Sequence, residues 1–456
     1  MKNVRSSLNL NLDLSMSPSP IRPLLKKLIV RGLAAVDAKM AVSCAISRNG
    51  EELVIGRRRY DLRRHDRVVV LGAGKATASM AQAVEQRLGL RLHSGFVVVK
   101  HGHGLPTKQI VVVEAGHPVP DRSGQRAAAR LCAMAAELGP RDLLVVLLSG
   151  GASSLLPAPV AGVTLADKQR TTQKLLRCGA NIGDINIVRK HLSRIKGGRL
   201  AELTKATVVT VILSDVLGDD LSAIASGPTA PDPTTYQDAV AILKRYRIWR
   251  AVPQRVRRHL DRGCQGLVSE TPKPGSHLFR RVHHHIVGNN AAAVAAVARA
   301  AREAGLRTLV QRPTLTGEAQ DEGKRFGVLA KNIVRAGKPL QRPCCVVAGG
   351  ETTVTVTGKG TGGRAQEFAA AAALEIADLA KVWVVAIGTD GTDGPTDAAG
   401  AVIDGHTVAR AKRLSVDLKG ALKRHNTYPA LKKLHQLILT GPTGTNVNDL
   451  YLLLVL

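Results

Sequence analysis

Arg364 follows Gly360, Gly362 and Gly363 and precedes the alanine-rich run FAAAAALEIADLA, so its guanidinium falls at or just before a helix N-terminus. Backbone N–H groups and a guanidinium placed there face one anion together, which suits a phosphate or a carboxylate. Asp390, Asp393 and Asp397 lie within one short loop, GTDGTDGPTDAAG, where hard oxygen ligands are able to hold magnesium. We take Asp390 and Asp393 as the metal candidates. A basic anion clamp beside an acidic loop is what phosphoryl transfer needs.

The other half of the chain carries a second set. Gly72-Ala73-Gly74-Lys75 follows an apolar run and opens a helical one, but Thr77 stands where a dinucleotide fingerprint has its third glycine. A P-loop fails as well, because Ala76 follows Lys75. What remains is a lysine beside a helix N-terminus, with an anion or plain solvent as its partner. Ser149-Gly150-Gly151-Ala152-Ser153 offers hydroxyls and backbone donors to a phosphate or carboxylate; it lacks the GxSxG elbow of a nucleophilic serine. Arg189-Lys190-His191 and Lys196-Gly197-Gly198-Arg199 space cations at helical intervals. That reads as a solvated face, although the double glycine beside Lys196 suggests close approach to a ligand. Asp215, Asp219 and Asp220 follow a strand end as hydroxyl-orienting or capping acids, and Glu351 ends another strand. His283-His284-His285 sits on an apparent strand, where neighbours point to opposite faces, so a metal handle is disfavoured.

These residues need elements to hold them. Strands are expected at GFVVVK, at IVVVEAG, from Leu143 to Leu148 and from Val382 to Ile387, with helices near Asp121–Leu138, near Leu165–Cys178 and from about Gly317 to Ala336. A capping signal at Thr234 or Thr235 opens another helix. Strands alternating with helices imply an α/β chain with a doubly wound parallel sheet. Residues 1–19 read as a disordered arm in which Met16 is a second candidate start, 20–250 as an N-terminal domain, 251–282 as a junction and 283–456 as a C-terminal α/β domain.

The net charge of +30 over 456 residues attracts anions of every kind and names no partner. Aromatics make up 2% of the chain, too few for a base-stacking platform, so nucleic-acid binding is not expected as the main function. Six cysteines without metal spacing read as reduced and mostly buried, as in cytoplasm. No secretory signal or bilayer-length apolar run is recognisable, and a homodimer is left open.

Side by side, GAGKATASMA, LLSGGASSLLPAP, INIVRKHLSRIKGGRLA, ILSDVLGDDLSAIASGPTAPDPTT, GGETTVTVTGKGTGGRAQEFA, GTDGTDGPTDAAGA and TGPTGTNVNDL resemble the glycerate 2-kinase family, the group with a C-terminal MOFRL domain. Some of its members are labelled hydroxypyruvate reductase. The resemblance implies a Rossmann-like N-terminal domain, a smaller α/β C-terminal domain with its MOFRL region at about 340–450, and a site in the cleft between them. It implies ATP-dependent, magnesium-assisted phosphorylation of D-glycerate to 2-phosphoglycerate. Lys75 matches the family's lysine in GAGKA and Arg364 its arginine in GGR-x-QE, both thought essential. Ala365 departs from the family's usual Asn.

A division of labour follows from that likeness. Lys75 and Arg364 serve the phosphate and the carboxylate, Asp215 orients the 2-hydroxyl, and Asp390 or Asp393 holds magnesium. Gly74, Ser149, Gly150, Gly151, Ser153, Lys196, Glu351 and Asn446 bind the remaining oxygens. The alternative reading is a nicotinamide-dependent hydroxypyruvate reductase.

Overall fold

The computed structural model describes residues 12–14 and 20–456, which fall into two compact units. One is Ala38–Val287; the other joins the described residues up to Asp37 to Gly288–Leu456. These bounds differ from the expected ones at two places. Helix Arg22–Ala34 buries Leu25, Leu28, Ile29 and Leu33 and packs on helix Asn290–Glu303, so it belongs with the C-terminal residues. The segment expected as a junction contributes Val252, Val256 and Leu260 to a core shared with helices Ile182–His191 and Tyr236–Arg245. Of the expected arm, Asp13–Leu14 pairs antiparallel with Ile438 and Leu439, and Leu12 and Leu14 are buried. Its other residues, Met16 among them, lie outside the described ones.

In the first unit six strands run in the order Val282–Gly288, Thr207–Leu213, Leu143–Leu148, Val68–Ala73, Leu92–Lys100 and Ile110–Ala115. Val68–Ala73 is parallel to both of its neighbours, and Leu143–Leu148 is parallel to Thr207–Leu213. Every residue of Val68–Ala73 and Leu143–Leu148 is buried, as strands covered on both faces must be. The chain starts in the middle of this sheet, winds outward to Ile110–Ala115, and returns through helix Arg122–Ala136 to the opposite side. The order therefore reverses between Val68–Ala73 and Leu143–Leu148, and ligands of open parallel sheets bind at the carboxyl ends of such a pair. Three short antiparallel strands, Ile46–Asn49, Glu52–Ile55 and Arg58–Asp61, precede the sheet.

The second unit holds a mixed sheet of eight strands. Its fully buried strand Asp449–Val455 lies antiparallel between Cys344–Thr353 and Val382–Gly388, with Asp449 opposite both Gly350 and Gly388. Helix Arg364–Glu375 buries Ala369 through Ala373 and packs on helix Ala319–Ala336. Among the described residues no helix is long and apolar enough to cross a membrane. All six cysteines are free thiols; Cys132, Cys344 and Cys345 are buried, while Cys44 is exposed, so half of them rather than most are core residues.

Candidate functional site

In the first unit the two glycine turns meet at the reversal of strand order. Gly74 has φ +143°, and a Cβ there would lie 2.1 Å from Ser149 Oγ and 2.6 Å from the Ser149 carbonyl oxygen, so only glycine fits. The Lys75 N–H donates to the Gly150 carbonyl at 2.8 Å, locking one turn to the other. Ser149, expected as a hydroxyl for a ligand, is buried instead. Its Oγ accepts the Ala76 N–H at 3.1 Å and shares a 3.0 Å hydrogen bond with Thr77 Oγ1, at the start of helix Thr77–Leu88. A Cβ on Gly151 would come 2.9 Å from the His117 ring and 3.4 Å from Lys75 Cγ, so the imidazole and the lysine stem both lie over this glycine. His117 was not singled out from sequence. Burial, and then the Lys75 charge, lower its pKa to about 4, so it is neutral at pH 7. The polar HP step that ends strand Ile110–Ala115 was the available signal.

Asp215 follows strand Thr207–Leu213 on the same carboxyl edge. Asp220 accepts from the Ser222 N–H at 2.8 Å and acts as a local cap. The expected solvated face at Arg189–His191 is not solvated. Lys190 is buried 3.3 Å from Asp232, and His191 is fully buried 3.1 Å from Glu270. Lys196 is buried too, its Nζ donating to Ser153 O at 2.7 Å and Oγ at 3.1 Å. On the edge strand, His284 Nε2 pairs with Thr229 Oγ1 and His283 lies against Tyr60, so the three histidines do not converge.

In the second unit Arg364 opens helix Arg364–Glu375, as expected. Its Nε and Nη2 donate to the two oxygens of Asp449 at 2.7 and 3.0 Å, and Nη1 donates to Glu351 at 2.7 Å. The register explains the trio, because Asp449 faces Gly350 across the sheet and Glu351 is the next residue. Burial alone would lower the arginine's pKa; the two carboxylates more than offset it and hold the guanidinium protonated. Burial pushes Asp449 up, to about 7, against the pull of Arg364, and the two-pronged contact is that of an ionised pair. Asp449 was missed in the sequence, although it marks the step from the polar loop TGPTGTNVN to the apolar LYLLLVL. Asn446 lies half-buried in that loop.

Of the expected metal pair, Asp393 is taken up by a helix cap. Asp393 is buried and accepts the N–H groups of Ala365 and Gln366 at 3.0 and 2.8 Å, so both carboxylate oxygens cap the Arg364 helix. Asp390 Oδ1 accepts from the Thr392 N–H and hydroxyl. Asp397 Oδ1 accepts from the Tyr428 hydroxyl at 2.7 Å. Among the described residues no group of three His, Cys, Asp or Glu could hold a metal ion. Asp393 therefore does not fit a magnesium site as its carboxylate stands.

A family profile described as "Domain of unknown function (DUF4147)" matches residues 24–261, and one described as "MOFRL family" matches residues 344–449. A glycerate 2-kinase of Pyrococcus horikoshii is 42% identical over 95% of this chain and 97% of its own. The chain belongs to the glycerate 2-kinase family. A family relative from Agrobacterium vitis, provisionally named a hydroxypyruvate reductase, is 40% identical over 95% of this chain and 94% of its own. The solved glycerate kinase of Thermotoga maritima matches with a TM-score of 0.85 at 38% identity, covering 96% of this chain and 100% of that one. At the position where the glycerate 2-kinase family usually has Asn, Ala365 is fully buried in the core around Phe368, and its N–H is bound to Asp393. The substitution therefore points inward, to packing beneath the Arg364 turn.

Proposed function

We propose that this protein transfers the γ-phosphoryl group of ATP to the 2-hydroxyl of D-glycerate, giving 2-phosphoglycerate. The observation that carries the reading is the long match to glycerate kinases, joined to a lysine placed where a parallel sheet reverses its strand order. Phosphoryl transfer asks a protein mainly for positioning and for neutralising charge on the phosphate oxygens. Lys75 supplies an ammonium at the carboxyl edge of the sheet, beside an imidazole kept neutral and so no rival for the anion. Arg364 supplies a guanidinium aimed by Asp449 and Glu351. Three of its five N–H bonds are taken by those acids, which leaves two for an oxyanion.

Asp215, on the same sheet edge as Lys75, orients the attacking hydroxyl. Magnesium held mostly by nucleotide phosphates needs only one or two protein carboxylates, and Asp390 is the candidate. Reduction of hydroxypyruvate, which one relative's name raises, is disfavoured at Thr77. That residue fills the place of the third fingerprint glycine, and its hydroxyl is bound to Ser149.

A coupled assay with D-glycerate, ATP and magnesium, run beside one with hydroxypyruvate and a reduced nicotinamide, separates the two. ADP release that depends on D-glycerate is expected. Nicotinamide oxidation without such ADP release would overturn the proposal.

A further inference from the structure

Three basic side chains of the first unit, Lys168, Arg189 and Lys196, are buried or half-buried and make no ion pair among the described residues. Lys168, on helix Leu165–Arg177, is 8% exposed, and its Nζ has no hydrogen-bond partner. Lys196 is 3% exposed and donates only to the uncharged oxygens of Ser153. Arg189 is half-buried on helix Ile182–His191, which packs against the helix that carries Lys168, and its charge disfavours that of both lysines. Among the described residues none of the three has an ion pair. The nearby acids are committed elsewhere: Asp167 to its own helix cap at Thr164 and to Arg255, and Asp232 to Lys190. A hydrogen-bonded chain, Ser153 to Ser226 to the amide oxygen of Asn186, runs beside Lys196.

A buried, unpaired ammonium is costly, and a fold that keeps one beside two more cations is built for an anion it does not itself supply. Burial presses both lysines toward the neutral amine; a carboxylate would restore the charge of only one group, whereas a phosphate dianion or a polyphosphate tail balances two or more. We propose that Lys168, Arg189 and Lys196 form a phosphate-binding site continuous with the Ser149–Ser153 turn. The assignment of phosphate rests on the cations; only its source, a nucleotide tail or a phosphorylated product, rests on the kinase reading. Burial, and then Arg189, lower the Lys168 pKa to about 7, as an ammonium lacking its counter-ion requires.

The test is thermal melting of the full-length protein and of its K168M and R189Q variants at constant ionic strength. The probes are sodium pyrophosphate, inorganic phosphate and D-glycerate. Without ligand, K168M is expected to melt about 2 °C or more above the parent, because methionine keeps the volume and removes the unpaired charge. Pyrophosphate should raise the melting point of the parent by about 3 °C or more, and that of K168M and R189Q by much less. ATP and 2-phosphoglycerate then identify the source by which shift K168M loses. Equal pyrophosphate shifts in the parent, K168M and R189Q, or a shift with D-glycerate and none with pyrophosphate, overturn the site. Should K168M fail to fold, R189Q against the parent decides alone. Failure of the kinase reading shows separately, as absent ADP release with these shifts intact.

Discussion

At the scale of single residues, the proposed chemistry depends on how two cations are aimed. Arg364 is held by a bidentate contact to Asp449 and a further bond to Glu351, a geometry that lysine's single ammonium cannot reproduce. R364K keeps the charge and loses the aim. Its kcat/KM in the D-glycerate assay should fall by roughly 100-fold or more, with the melting point changed far less than the rate. His117, over Lys75, sets a pH dependence. Its folded pKa of about 4 lies below the ordinary histidine value, so between about pH 4 and 6.5 the unfolded chain binds a proton that the folded chain refuses. Stability from this group is complete above pH 6.5 and is lost as the pH falls toward 4. Urea unfolding at pH 5 and pH 7.5 should show the parent losing about 2 kcal/mol more on acidification than H117F does.

At the scale of elements, much of the architecture was legible because its signals are local. An unbroken apolar run from Leu143 to Leu148 is the strand found, and the expected helix near Asp121–Leu138 is Arg122–Ala136 with Asp121 as its cap. Thr235 opens helix Tyr236–Arg245 through a full capping box with Asp238. The strands at 46–61 escaped notice because each is four residues long, and a few inward apolar side chains such as Leu53, Ile55 and Tyr60 are outnumbered by outward charges. Within the site, residue types were readable and directions were not. Nothing in SGGAS says that the Ser149 hydroxyl turns back to the Ala76 N–H, and nothing in GTDGTDG says that Asp393 caps a helix 28 residues earlier. Direction is testable at Ser149. If its hydroxyl holds the turn rather than the substrate, S149A leaves a buried N–H unmet and costs about 1–3 kcal/mol in urea unfolding, while KM for ATP and D-glycerate stays within about threefold. A large rise in KM with unchanged stability would return Ser149 to ligand binding.

At the scale of the whole molecule, the two candidate cations belong to different units, Lys75 to Ala38–Val287 and Arg364 to the unit that includes Gly288–Leu456. Each unit has its own core and its own sheet, so each cation is placed by independent packing. The proposed transfer, in which both cations act, makes a sharp demand on kinetics. Groups that act together on one transition state are strongly non-additive, because removing either already forfeits most of what the pair supplies; groups serving separate steps lose their contributions independently, and the losses multiply. K75A and R364K should each lower kcat by orders of magnitude, and the double variant should fall within about tenfold of the slower single one. Single-turnover ADP release, with melting points confirming that all three variants fold, makes the comparison at the chemical step. A double variant slower by the full product of the single losses would mean that Lys75 and Arg364 do not share a transition state, and the two units would then require separate roles.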